Sequence, residues 1–160
     1  MAKASPPSNL ATELGKRKPF SSLRQETYLN LVRTHEHLAS QFARFFRQHA
    51  LSDAQYNALR ILRGEAQPMQ LCQIAERMVS TQTDISRLVH RLHTGGWVHR
   101  RLCQEDRRVV WVSLTQKAQD QLQQMDRPLE RLHEAQFAEL TDRELATLNR
   151  LLFKARKPEA

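Results

Sequence analysis

Apolar residues recur every three or four positions along most of this chain, which predicts a mainly helical protein. The first sustained stripe begins near Leu23 and predicts an amphipathic helical region over 23–50. The members of this stripe are Tyr28, Leu31, Val32, His35, Leu38, Ala39, Phe42, Phe45 and Phe46.

Three shorter helices are predicted next from the signals at their ends. Ser52 and Gln55 form a capping box that opens the first, and Gly64 ends it. The second covers 71–78. The third begins at Thr81 and stops at Gly95-Gly96, because glycine is the usual residue after a helix end. Its apolar positions are Ile85, Leu88, Val89 and Leu92.

After these helices the spacing becomes that of strands. Segments 97–102 and 109–114 are rich in β-formers and are joined by the polar turn 104–107, which is typical of a hairpin. Thr115 then caps a long helix, in which Pro128 predicts a kink or break. Thr141 and Glu144 form another capping box. The final helix is expected to turn four leucines inward: Leu145, Leu148, Leu151 and Leu152.

Three helices followed by a hairpin, with long helices on both sides, are the order of a winged helix-turn-helix protein. The predicted fold class is mainly α with a small β-hairpin wing. We assign 51–115 to a winged lobe, and 23–50 with 116–156 to a helical dimerisation region, because the lobe is too small to cover both apolar helices. Residues 1–22 contain a Lys16-Arg17-Lys18 cluster and are interpreted as a flexible basic arm.

The charge of the chain narrows the choice of partner. A formal net charge of +8 over 160 residues favours a polyanion, with nucleic acid ahead of an acidic membrane surface. No apolar run approaches the roughly 18 residues of a membrane span, and no secretory signal is present, so we expect a cytoplasmic protein without membrane contact. Cys72 and Cys103 are too few for a disulfide framework and match no metal-ligand spacing.

The segments 71–78 and 81–94 have the spacing of a helix-turn-helix, whose second helix enters the major groove of DNA. The outward residues near its start must then be polar, because Gln can pair with adenine and Arg with guanine. Those present are Thr81, Gln82, Thr83, Ser86 and Arg87. Asp84 is expected to cap the helix, since a carboxylate that faced phosphate would be repelled.

The hairpin carries a second basic cluster, made of Arg100, Arg101, Arg107 and Arg108. An arginine at its tip can enter the minor groove, where the negative potential of DNA is greatest. Asp106 is expected to pair with a neighbouring arginine, which would stiffen the tip and aim one guanidinium outward.

The run E-D-R-R at 105–108, followed by V-V-W-V-S-L-T at 109–115, resembles the wing of the MarR family of bacterial regulators. The runs 85–92 and 95–100 are similar to the family's recognition helix and wing entry, and 51–59 to the opening of its second helix. The sequence departs from the family pattern at His90, Trp97 and Ala118, where an acidic residue, Leu and Gly are usual. We expect these departures to alter packing between the lobe and the dimerisation helix.

The resemblance implies a homodimer whose first and last helices interlock. It also implies binding to double-stranded DNA at a palindromic promoter site, usually as a repressor, and release by a small aromatic inducer or by cysteine oxidation. No cofactor is implied. By the same resemblance, Arg108 would be the minor-groove arginine and Asp106 its anchor. The residues that would face the bases are Gln82, Thr83, Ser86 and Arg87.

Other classes of function have less support in the sequence. An enzyme is not expected, because the chain has no Gly-rich phosphate loop, nucleophile elbow or metalloprotease motif. His90 and His93 lack a carboxylate or cysteine to complete a metal site. Cys103, with four arginines nearby in sequence, is the better redox candidate, although inert thiols are the preferred interpretation. A winged-helix module that binds protein is the remaining alternative. Such a module would carry an apolar or acidic recognition face, whereas the face here is polar and includes Arg87 and Arg91.

Overall fold

The computed structural model describes residues 10–80, 83–106 and 108–157, which form seven helices and a three-stranded sheet. The predicted class, mainly α with a small β-hairpin wing, is confirmed. The chain divides into two compact units, one ending at Asp53 and one beginning at Ala54. The helices are α1 (Leu10–Glu13), α2 (Leu23–Gln48), α3 (Asp53–Glu65), α4 (Leu71–Arg77), α5 (Ile85–Thr94), α6 (Gln116–Gln136) and α7 (Asp142–Ala155); the strands are β1 (Met69–Gln70), β2 (Val98–Leu102) and β3 (Val110–Leu114).

The first unit consists mainly of α2, which Ser22 caps by accepting a hydrogen bond from the Gln25 amide at 3.2 Å. Much of its apolar stripe is exposed. Tyr28 is 65% exposed and Leu31 is 41% exposed, whereas Phe46 alone is buried within this helix. A single chain therefore leaves the N-terminal half of the stripe in water.

The core of the second unit draws side chains from its helices and from the sheet, so α6 belongs to the same packed unit as the winged lobe. The largest fully buried side chains are Leu59, Met69, Ile74, Val89, Leu92, Val98, Val112, Leu122 and Met125. Three of the predicted inward positions of α5, Leu88, Val89 and Leu92, are buried as expected.

The sheet has the strand order β1-β3-β2 and is antiparallel throughout. The predicted hairpin is present, with Val98 paired to Leu114 at one end and Leu102 paired to Val110 at the other. Strand β1 was not predicted, because it has only two residues and pairs Met69 with Val112, far along the chain. Both Met69 and Val112 are buried, so this short strand joins the wing to the core.

Two helix boundaries differ from the prediction. The helix expected from Thr81 begins at Ile85, with Asp84 as its N-cap; the Asp84 carboxylate accepts from the Arg87 amide at 3.0 Å, so its capping role is confirmed. Gly64 does not end α3, which continues to Glu65. The left-handed residue after this helix is Ala66, with a φ of 56°.

The C-terminal helices also differ from expectation. Of the kink or break predicted at Pro128, the break is wrong, because α6 is continuous from Gln116 to Gln136. Because proline has no amide hydrogen, Pro128 cannot donate a helix hydrogen bond to the Gln124 carbonyl. Gln124 is exposed, so water can satisfy this carbonyl, and the burial of Met125 and Leu129 stabilises the helix on either side of Pro128. In α7 none of the four leucines predicted to face inward is buried. Leu151 is 50% exposed.

Exchanging the glycine at position 64, inside α3, for one at position 66, just after it, is expected to stabilise the protein. Gly64→Ala fills open space inside a helix, and Ala66→Gly relieves a left-handed backbone; each is worth about 1 kcal/mol. The double variant should raise Tm by a few degrees, roughly 4 to 8 °C, in a thermal melt. Ala66→Val is the opposing control and should lower Tm. A Tm below that of the natural chain in Ala66→Gly would contradict this account.

Candidate nucleic-acid interface

Helices α4 and α5 form the helix-turn-helix, and α5 presents one polar face to solvent. Its buried residues lie on one side. Its exposed residues recur at the spacing of one helical turn, which places them together on the other side. These exposed residues are Ser86, Arg87, His90, Arg91, His93 and Thr94. Below, α5 is called the recognition helix.

Arg87 lies in the first turn of the recognition helix. Its side chain is 73% exposed, and its Nε lies 4.0 Å from Oδ2 of Asp84. An ion pair this exposed holds the guanidinium only weakly, so little energy is needed to move it onto another acceptor. The Asp84 carboxylate thus keeps its main role at the helix end, through the Arg87 amide.

The structure describes four of the seven predicted DNA-contacting residues. Ser86 and Arg87 are exposed on the recognition helix, and Thr83 is half-buried just before it. Arg108 is exposed in the loop between β2 and β3. The other three, Thr81, Gln82 and Arg107, lie outside the described residues.

The loop of the wing is closed by Asp106. Its Oδ1 accepts a hydrogen bond from the Arg108 amide at 2.9 Å, and its carbonyl accepts from the Val109 amide at 2.9 Å. Asp106 therefore holds the backbone of Arg108, whereas the sequence interpretation paired its carboxylate with a guanidinium. The side chain of Arg108 is exposed.

Cys103 lies at the base of the same loop, where its amide donates to the Val109 carbonyl at 2.9 Å. Its pKa is lowered, first because the Asp106 amide donates to the sulfur, and then because the Glu105 amide and the Trp111 indole also donate. The thiol is half-buried. Cys72 is exposed, and its sulfur lies 3.7 Å from Oε1 of Gln70.

One exposed apolar residue of this region was missed in the sequence. Val79 is 84% exposed in the turn between α4 and the recognition helix. A methyl group at this position is suited to contact with a thymine methyl. The sequence signal that could have found it is an apolar β-branched residue, Val79, in the short connection between the two helices of the motif.

Nearly all of the winged lobe, which we assigned to 51–115, matches a known family. The model of the MarR family matches residues 51–110. A MarR transcription factor from Planctomyces limnophilus is 40% identical, with 84% of this chain and 98% of that chain covered and a TM-score of 0.66. The chain belongs to the MarR family. As a MarR protein it is a transcription regulator of winged-helix fold, and no enzymatic role follows from this family.

Two further structures share the MarR fold at lower identity. A MarR variant from E. coli in complex with operator DNA has 23% identity and a TM-score of 0.74, covering 86% of this chain and 100% of that chain. BpsR from Bordetella bronchiseptica, whose DNA binding is regulated by 6-hydroxynicotinic acid, has 21% identity and a TM-score of 0.73, covering 82% and 99%. No curated protein matches the chain significantly in sequence.

Within residues 10–80, 83–106 and 108–157, no three His, Cys, Asp or Glu side chains lie close enough together to hold a metal ion. In the same part of the chain, no helix combines the length and the apolar character that crossing a bilayer requires.

Proposed function

We propose that this MarR protein binds double-stranded DNA as a homodimer at a palindromic promoter site and represses transcription there. The observation that carries the proposal is the exposed polar face of the recognition helix, with Ser86, Arg87 and Arg91 opposite buried Leu88 and Leu92. Arginine and serine are residue types that read base edges. The excess of cations supplies attraction to phosphate.

The wing supplies the second part of the proposed interface. Arg108 is exposed, and the Asp106 carboxylate fixes its backbone amide. We propose that its guanidinium enters the minor groove, with Arg107 nearby in sequence. The fold of E. coli MarR, solved with operator DNA, is shared by this chain, which supports the same use of helix and wing.

Homodimer formation is supported by apolar surface that a single chain does not cover. In α7, Leu148 and Leu151 are 36% and 50% exposed, and α7 has no buried residue. In α2, Tyr28 and Leu31 are similarly exposed. Two copies related by a two-fold axis would cover these faces and place two recognition helices about one DNA turn apart.

An inducer of small aromatic type is the proposed means of release. BpsR, which shares the fold, is regulated by 6-hydroxynicotinic acid. The second unit of this chain has an open cleft of about 510 Å³, whose lining includes Pro68, Leu114 and the paired side chains of Arg63 and Asp126. This volume lies within the range of small-molecule sites, roughly 300 to 1,000 Å³.

The test of this function is fluorescence anisotropy with a duplex from the region upstream of the protein's own coding sequence, titrated at several salt concentrations. Saturable binding of two chains per duplex, with preference over scrambled DNA, would support the proposal. Adding 6-hydroxynicotinic acid to the bound complex tests release. Binding that is equal on scrambled DNA and is abolished by modest salt would reject sequence-specific regulation.

In the same titration, Arg108→Ala is expected to weaken binding on every duplex. Removing one guanidinium from the negative potential of the minor groove should reduce the magnitude of the slope of log K against log salt by about one for each chain. Arg156→Ala is the matched control, because Arg156 is an exposed cation at the end of α7, away from the helix-turn-helix in sequence. A salt slope that is the same in Arg108→Ala as in the natural chain would remove Arg108 from the interface.

A further inference from the structure

The ammonium group of Lys117, at the start of α6, contacts both the end of the recognition helix and the entry to the wing. Lys117 Nζ donates a hydrogen bond to the Gly95 carbonyl at 2.8 Å and lies 4.0 Å from the centroid of the Trp97 ring. Gly95 is the C-cap of the recognition helix, Trp97 precedes β2, and Lys117 lies in the first turn of α6. The Lys117 side chain, which belongs to α6, therefore contacts both the end of the recognition helix and the residue that precedes β2.

The packing around Gly95 leaves no room for a side chain. A Cβ on Gly95 would lie 2.8 Å from Cδ1 of Trp97 and 2.9 Å from its Nε1. Trp97 is 7% exposed, and its amide donates to the Leu92 carbonyl at 2.9 Å. The indole is thus held directly against the last turn of the recognition helix.

Thr115 makes a second tie at the same place. Its Oγ1 lies 2.9 Å from the Gly96 carbonyl oxygen and 3.1 Å from that of Trp97, to which the Thr115 amide also donates at 3.1 Å. Thr115 is at the same time the N-cap of α6, accepting from the Ala118 amide. The start of α6 and the end of the recognition helix are therefore bonded through the same two residues, Gly96 and Trp97.

Charge favours this arrangement from two sides. The C-terminal carbonyls of a helix carry partial negative charge, so an ammonium group beside Gly95 is stabilised there. The face of an indole ring is also negative, and attracts the same ammonium group. The Lys117 ammonium group therefore interacts with the Gly95 carbonyl and the Trp97 ring within the protein.

We propose that Lys117, acting through Gly95 and Trp97, is a positioning residue that sets the orientation of the recognition helix relative to α6. The proposal rests on the proposed function, because this orientation has a consequence only if the recognition helix reads DNA. In a dimer joined through the C-terminal helices, the angle between α6 and the recognition helix determines the separation of the two recognition helices. It therefore determines which half-site spacing binds best.

The experiment compares three variants. Lys117→Met removes the cation and the donor but keeps an unbranched stem, and Lys117→Arg restores both. Arg127→Met is the matched control, because it removes a positive charge from an exposed position further along the same helix. All three should form the same dimer as the natural chain by sedimentation.

The first readout needs no DNA. The amides of Gly95, Gly96 and Trp97 donate to carbonyls of the recognition helix, so their hydrogen exchange reports how firmly its end is held. We expect exchange about tenfold faster in Lys117→Met, relative to amides of α7, and unchanged in Lys117→Arg and Arg127→Met. Unchanged exchange in Lys117→Met would overturn the proposal.

The second readout is anisotropy with the upstream duplex and with duplexes that have one base pair inserted or removed at the centre of symmetry. Lys117→Met should bind the best duplex about tenfold more weakly, discriminate less between spacings and keep its salt slope. A slope lowered by about one with spacing preference intact would instead make Lys117 a phosphate contact and overturn the proposal. An equal loss in Arg127→Met would also overturn it. If the natural chain prefers none of these duplexes over scrambled DNA, the proposed function fails, and amide exchange alone decides whether Lys117 fixes the end of the recognition helix.

Discussion

Leu151→Glu is expected to prevent the proposed homodimer from forming at micromolar concentration and to weaken DNA binding by about a hundredfold or more. Leu151 is 50% exposed in a single chain and lies near Leu148 on α7, where no residue is buried. A carboxylate there would have to be buried without a partner in the proposed dimer, which is costly, whereas in the monomer it stays in water. The fold of the monomer should therefore survive the substitution.

The loss of DNA affinity follows from the loss of the second half-site. When two recognition helices are joined, binding of the first makes binding of the second intramolecular, and the gain is about 10² to 10⁴ in affinity. Sedimentation equilibrium measures the oligomeric state, and anisotropy measures the affinity. Ala146→Glu introduces the same charge on the opposite side of α7, at an exposed position, and should remain dimeric. A Leu151→Glu protein that stays dimeric would place the interface elsewhere.

The elements that were predicted correctly carry their signals within a few residues. Thr141 and Glu144 form the expected capping box, with the Thr141 amide donating to Glu144 Oε2 at 2.9 Å. Gly96 has a φ of 72°, a conformation that glycine adopts readily, so the stop after the recognition helix was also visible in the sequence. Such signals depend on neighbouring side chains and backbone alone.

The errors arise where distant or competing interactions decide. Strand β1 depends on the pairing of Met69 with Val112, for which two residues give no local pattern. The start of the recognition helix was misplaced because Thr81 and Asp84 are both N-cap types. Asp84 was expected to cap the helix, yet the helix was begun at Thr81; the structure has Asp84 as the N-cap and the helix starting at Ile85. The prediction that the leucines of α7 are buried failed. An apolar period shows that one face of a helix is apolar, but it does not show whether the same chain or another one covers that face.

The same distinction applies to the candidate site. The exposed positions of Ser86 and Arg87 follow from helical period, since Leu88, Val89 and Leu92 take the buried side. The contact of Lys117 with Gly95 and Trp97 joins residues about twenty positions apart, and nothing in the sequence around Lys117 indicates it. Contacts that orient an element are thus harder to predict than the residues the element presents.

Arg87→Ala is expected to reduce affinity for the specific duplex by about tenfold to a hundredfold and to relax the base preference at one position in each half-site. A bidentate contact from arginine to guanine is worth about 1 to 3 kcal/mol of discrimination against the wrong base. Arg87 meets the requirements for such a contact, because its side chain is 73% exposed in the first turn of the recognition helix and its backbone is fixed by Asp84.

Arg87→Lys separates base reading from charge. Lysine keeps the positive charge but lacks the planar fork of the guanidinium, so Arg87→Lys should retain the salt slope of the natural chain and still lose much of the base preference. Competition between duplexes that differ at single positions measures this directly. If Arg87→Ala weakens binding to specific and scrambled duplexes by the same factor, then Arg87 contacts phosphate, and base reading must be assigned to other residues of the recognition helix, with Ser86 and Arg91 next on its exposed face.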